Sequence, residues 1–405
     1  MIVAVVVVVI TVARDDGGPL DAIAWDPDRR EQLEANAATG LSHVLYVKSP
    51  GGVIASVERT AGFRPLIEDI AVEAGIDPDI MEAIVFLESG GRQDARASDD
   101  PEAASGLTQI LAGTATDLLE MKVDLDESAR LTRAIAAGED LARNRARRAE
   151  VDERFDPQKA LRGTARYLTF ARDRLGRDDL AVVSYHMGVG NLQTALERYG
   201  DTGISYAQLF FDSTPLRHAE AWSTLAALGD DSATYYWKVL AARQIMRLAR
   251  KDRSELDRLI GLHRSAPSAE RVLHPPEETP AFDSPEVVQR AVADGQLREL
   301  SAERLEGAGI AIDPGMPAAS RWLRPRALEV LELIGAGVRE ISGFSPLRVT
   351  SALGGVHPTG YAFDIARDYA APKQAEAFQF MLDRLTALDR IAFSRAGDVI
   401  RIVVR

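Results

Sequence analysis

The chain contains no cysteine. Disulfide staples and thiol catalysis are therefore excluded, although the compartment is not identified by that fact alone. It also lacks an excess of basic residues. The formal net charge of -13 argues against a nucleic-acid binder and against simple electrostatic adhesion to anionic polymers. No internal repeat is visible. The one long apolar run, Ile2 to Ala13, is too short for a membrane helix of about 20 residues. It carries no basic leader either. It reads as the remaining part of a signal or membrane anchor, with a valine-rich β-strand as the alternative.

What is present is a chain of 405 residues, 46% of them hydrophobic, enough for two or three domains with real cores. Its abundance of Ala, Leu and Arg predicts mostly helix. Residues 14–63 form a mixed lead-in. Residues 64–262 read as a helical domain. Proline and polar residues collect over 263–285, as expected of a linker or surface strap. Residues 286–405 alternate helical and strand signals and read as a smaller α+β domain.

Glu88 is the most informative residue. Asp77 has N-cap chemistry, Pro78 suits the first helical position, and Ile80, Ile84 and Leu87 recur at helical spacing before Gly90-Gly91 stops the helix. Glu88 then falls in the last turn beside an apolar stripe. Alone, such a residue is an ordinary solvated carboxylate. Held against apolar surroundings, it is an acid kept protonated near neutral pH.

The surrounding motifs decide between those readings. Glu88-Ser89 is followed by Gly106-Leu107-Thr108-Gln109, Thr114-Ala115 and Phe155-Asp156-Pro157. Tyr167-Leu168, Ser184-Tyr185-His186-Met187-Gly188 and Thr234-Tyr235 come next. In this order the segments resemble the soluble-type lytic transglycosylases (SLT), relatives of goose-type lysozyme, over roughly residues 64 to 248. Thr108 replaces the usual Met, His186 the usual Asn, and Asp231 a common Glu. An arginine-rich stretch, about Met121 to Glu153, is inserted and reads as a helical hairpin or flap.

The resemblance implies a lysozyme-like fold and, as substrate and partner, the glycan strand of peptidoglycan in the extracytoplasmic envelope. Glu88 would act as both acid and base in cutting the MurNAc-GlcNAc bond, leaving a 1,6-anhydro end, with no cofactor. One carboxylate suffices when the nucleophile is intramolecular. Ser89, Gly106, Leu107, Gln109, Tyr185, His186 and Tyr235 are the implied substrate-contacting residues. Gln109 is placed to hold an acetamido group or Glu88 through its amide. Two alternatives stand beside this: a lysozyme-like hydrolase on the same fold, and a wall-binding protein that does not cut.

A second resemblance lies in the last domain. Leu347–Ser351 reads as a strand, and His357 and Asp364 are separated by six residues with Gly360 and Ala362 between them. This looks like the zinc D-Ala-D-Ala carboxypeptidase family, in which both positions bind zinc. A catalytic zinc needs three protein ligands. No histidine follows His357, and Arg401 stands roughly where the third ligand would be. The expectation is a degenerate, non-catalytic accessory domain without metal, in which His357 contacts Asp364. His43, His218, His263 and His274 form no ligand cluster and read as structural.

Overall fold

The computed structural model describes residues 18–229, 231–265 and 269–405. The expected signal or anchor segment, residues 1–13, lies outside them. No described helix is long and apolar enough to cross a membrane. A helical N-terminal region is joined to a smaller C-terminal region that contains the strands.

The helical region is built around Pro78–Ser89 packed on Tyr235–Lys251. Met81, Ala83, Ile84, Val85 and Phe86 are all buried, so the first of these helices is apolar nearly all round and belongs at the centre. Its ends are those the sequence predicts. Asp77 accepts a 2.8 Å hydrogen bond from the Asp79 amide, Pro78 opens the helix, and Gly90 closes it in the left-handed conformation. Glu82 is the exception within the apolar barrel. It is fully buried, and its carboxylate meets Arg64 at 3.0 Å and also Arg250.

The segment leading into this region folds into it as helices Arg30–Gly40, His43–Lys48 and Val53–Ala61. Leu33, Ala37, Val53 and Val57 join the same core as Ile84 and Trp237. The inserted arginine-rich stretch is the expected helical hairpin, Leu125–Ala136 and Leu141–Val151.

The C-terminal region has seven strands: β1 (Arg298–Glu299), β2 (Ile310–Ile312), β3 (Trp322–Leu323), β4 (Leu347–Ser351), β5 (Ala362–Ala366), β6 (Ile391–Ala396) and β7 (Val399–Val404). Five form a mixed sheet in the order β2-β4-β5-β7-β6, and β1 pairs with β3. Only β2 and β4 run parallel, and the helix Pro325–Ser342 lies in the connection between them, as a parallel crossover requires. That helix packs on Pro372–Ala387. Every residue of β5 is buried, which fits its central place and its unbroken apolar run apart from Asp364.

The two regions share one hydrophobic core. Arg384, on the helix Pro372–Ala387, is buried against the Phe210 and Phe211 rings and donates a 2.9 Å hydrogen bond to the Ser213 carbonyl. Gly40 sits so close to the Thr386 carbonyl that an added Cβ would lie 2.0 Å from its oxygen. The stretch 263–285 holds the end of the helix Arg253–Ser265 and the short helix Ala269–Leu273, whose Glu270 is buried.

Candidate active site

Glu88 opens onto a groove of about 520 Å³. Ala97, Ala104 and Gln109 line it together with Leu111, Tyr167, Tyr185 and His186. Among the described lining residues Glu88 is the only carboxylate. The helix that carries it is apolar and largely buried, so the carboxyl group is largely withdrawn from water. Burial pushes its pKa up to about 7, and a 2.7 Å hydrogen bond donated by the Tyr235 hydroxyl to Oε1 pulls slightly the other way. The result is an acid poised between its two protonation states near neutral pH, the condition for donating and then recovering a proton.

Tyrosines surround that acid. The Tyr185 hydroxyl donates a 2.8 Å hydrogen bond to the Thr108 carbonyl and lies 3.2 Å from the Thr164 hydroxyl. Burial, and then the Glu88 charge, hold its own pKa far above the usual phenol value. Tyr167 packs edge-on against Tyr185 with ring centroids 5.3 Å apart, and bonds the Ser184 carbonyl at 2.6 Å. Both phenols therefore stay neutral near pH 7. His186 is exposed at the rim. It stacks on Tyr235 at 5.1 Å, and its Nδ1 lies 2.9 Å from the Ser232 hydroxyl.

Of the residues named from sequence, Glu88, Gln109, Tyr185, His186 and Tyr235 come together here. Tyr235 reaches Glu88 rather than the open groove. Ser89, Gly106 and Leu107 are a correction: they stand behind the groove wall. Ser89 is 1% exposed, and its hydroxyl donates at 2.7 Å to the Leu107 carbonyl. Leu107 is core. Gly106 is there because its φ is +83° and a Cβ would lie 1.7 Å from the Arg154 carbonyl oxygen. Gln109 is also used differently. Its amide nitrogen donates to the Ala95 carbonyl at 3.2 Å and the Gly106 carbonyl at 2.8 Å, so its side-chain oxygen is what remains for a ligand. Tyr167 is the groove residue the sequence reading passed over, though it stood in the Tyr167-Leu168 motif.

The second cluster is closed. His357 is fully buried, with Nε2 2.9 Å from Asp364 Oδ1 and Nδ1 3.7 Å from Glu270 Oε2. Arg401 faces Asp364 across β5 and β7 and reaches the same carboxylate at 3.2 Å. Among the described residues no group of three or more His, Cys, Asp or Glu is arranged to hold a metal. The other histidines make local contacts. His43 and His263 meet at 2.8 Å through their Nδ1 atoms, at the edge of a separate cavity of about 680 Å³. His274 contacts the Val404 carbonyl, and His218 stacks on Tyr199.

The site is thus one desolvated acid on a helical body, facing an open groove and flanked by neutral phenols. Residues 65–208 match the family model of the Transglycosylase SLT domain, which implies lytic-transglycosylase-type peptidoglycan cleavage in general. The match ends before Tyr235 and does not reach the strand-containing region. No curated protein matches the chain.

Proposed function

We propose that the protein is a peptidoglycan lytic transglycosylase of the cell envelope, with Glu88 as its single acid and base. The observation that carries this is the Glu88 carboxyl group, raised to about 7 by burial and oriented by Tyr235 in a groove whose described lining holds no second carboxylate. The Glu88 proton passes to the glycosidic oxygen between MurNAc and GlcNAc as the bond from that oxygen to the muramic anomeric carbon breaks. The resulting carboxylate takes the proton of the muramic 6-hydroxyl, and that oxygen bonds to the anomeric carbon. Glu88 ends protonated, a 1,6-anhydro ring is closed, and no water is consumed.

A pKa near 7 serves both halves, because neither proton transfer is steeply uphill. The positive charge that develops at the anomeric carbon is met by the substrate's own acetamido group. The Gln109 side-chain oxygen is an acceptor for the acetamido N–H. The strand-containing region serves as a non-catalytic accessory domain, since Arg401 occupies Asp364 and His357 is sealed from solvent.

The test is a peptidoglycan digest by the wild-type chain and by Glu88→Gln, with products resolved by mass spectrometry. Anhydromuropeptides that disappear with the variant are expected. Reducing-end products would instead assign a lysozyme-like hydrolase. Binding without cleavage by either chain would assign a wall-binding protein.

A further inference from the structure

We infer that the arginine-rich hairpin is the positioning element for one wall of the groove, and that Arg148 sets the place of Gln109 through Asp94. The inference rests on the glycan-cleaving reading for its consequence, but its geometry stands apart from it.

The wall in question is the segment from Asp94 to Gln109. Ala97 and Ala104 line the groove, while Arg96 and Ser105 pair as an isolated antiparallel bridge. Leu107 and Thr108 tie its inner end to the core, but the outer part, from Asp94 to Ser105, is irregular and rich in small residues, with few side chains to pack. The hairpin holds that outer part. Arg145 reaches Asp94 at 2.8 Å, and Arg148 grips the other oxygen of the same carboxylate. Arg148 is buried, lies over the Phe155 ring at 3.8 Å, and donates to the Thr132 hydroxyl. Its guanidinium is thus fixed by three partners and cannot drift with the surface.

From Asp94 the connection runs directly to the groove. The carbonyl of the next residue, Ala95, accepts both the Gly106 amide at 2.8 Å and the Gln109 side-chain amide at 3.2 Å. Gln109 has a positive φ of 53°, a conformation that needs such outside restraint. At the end of the hairpin Arg154 completes the hold. It is buried against Asp152 and donates to the Ala103 carbonyl at 3.0 Å and the Pro101 carbonyl at 2.9 Å. Two ion clusters therefore clamp the two arms of the wall, Arg154 with Asp152 fully buried and the buried Arg148 with the half-buried Asp94. Loss of Asp94 leaves the buried Arg148 charge without its carboxylate, which costs its desolvation.

The experiment uses the full chain with Asp94→Asn and Arg148→Met, and Arg147→Gln as a control on the exposed face of the same hairpin. Hydrogen–deuterium exchange of the segment 94–110 is expected to rise by about tenfold in Asp94→Asn and stay at the wild-type level in the control. In a Glu88→Gln background, where no cleavage intervenes, sedimentation with insoluble peptidoglycan is expected to show about tenfold weaker binding with Asp94→Asn. Adding Gln109→Ala to that chain should cause little further loss, because both changes act on one contact. In the active chain KM rises while kcat and the pH limb set by Glu88 hold.

Unchanged exchange over 94–110 overturns the inference. So does faster exchange with unaltered binding and KM, or full additivity with Gln109→Ala. If Arg148→Met fails to fold, Asp94→Asn carries the test. A wild-type chain that binds no peptidoglycan and cuts none overturns the glycan reading instead, and the exchange arm still decides the clamp.

Discussion

The Tyr235 hydroxyl donates to Glu88 Oε1 at 2.7 Å across a sequence separation of 147 residues. The two residues come from the pair of helices at the centre of the helical region, so the bond is as rigid as that packing. It fixes which oxygen of Glu88 is free to face the groove. Because the bond favours the charged carboxylate, Tyr235→Phe raises the Glu88 pKa above its value of about 7. The alkaline limb of the activity profile should move to higher pH, while kcat falls by about 10- to 100-fold through lost orientation. A pH-rate profile of the variant checks both. An unmoved limb would mean that the limb does not report Glu88.

Glu88→Gln is expected to lower cleavage by at least about 10²-fold, since the proton donor is gone. The same change should stabilise the fold. A carboxyl whose folded pKa is raised from 4.5 to about 7 binds its proton in the folded state over a range where the unfolded chain has lost it. Stability therefore declines as pH rises from about 4.5 to 7, by at most about 3 kcal/mol. The glutamine has no such penalty. Calorimetry at pH 8 should show a higher Tm for Glu88→Gln than for wild type, with the difference closing near pH 4. A difference independent of pH would contradict the desolvated acid.

The residues behind the wall separate structure from contact. Ser89→Ala removes the hydroxyl bonded to the Leu107 carbonyl and should cost about 1 kcal/mol, with kcat and KM close to wild type. Gly106→Ala should cost at least about 3 kcal/mol, because it meets both a positive φ and the Arg154 carbonyl. Chemical denaturation of both variants checks the order. A large KM effect of Ser89→Ala without a stability change would return Ser89 to the substrate.

How much of this was legible beforehand depended on whether a signal was local. The Glu88 helix was readable end to end, because Asp77, Pro78 and Gly90 act through their own backbone neighbours. The hairpin was readable as an arginine-rich insertion of helical composition between two of the motifs. The order of the motifs brought Glu88, Tyr185 and Tyr235 together correctly. It said nothing of which side each neighbour faced. Ser89, Gly106 and Leu107 travel with Glu88 in sequence but turn inward, and only the approach of Arg154 and Leu107 in three dimensions reveals it. The merging of residues 30–61 into the common core, and the docking of Arg384 on Phe210, likewise depend on tertiary contacts with no sequence period. Arg401 meets Asp364 only through the pairing of β5 with β7, another contact that depends on the register of two strands far apart in the chain.

The buried cluster at His357 gives the last prediction. Burial works against a charged ring there, but the Asp364 and Glu270 carboxylates outweigh it and hold the His357 pKa above its ordinary 6.5. Burial also opposes the two carboxylates, and their contacts with His357, Arg401 and Thr359 still hold both below their usual values. The sign follows from each shift. The histidine contribution is complete below 6.5 and is lost as pH rises through the raised folded value. The carboxylate contribution is present above the ordinary carboxylate range and is lost as pH falls through the depressed values. The cluster thus stabilises most between those limits, at about pH 5 to 6. It joins Glu270 of the short helix 269–273 to β5, so its loss should loosen the attachment of that helix to the sheet. Unfolding of wild type and His357→Gln from pH 4 to 9 should show a Tm difference that peaks in that window and shrinks on both sides. A difference that stays level up to pH 9 would mean the ring acts by packing alone, and the ion cluster would lose its role in holding that helix to the sheet.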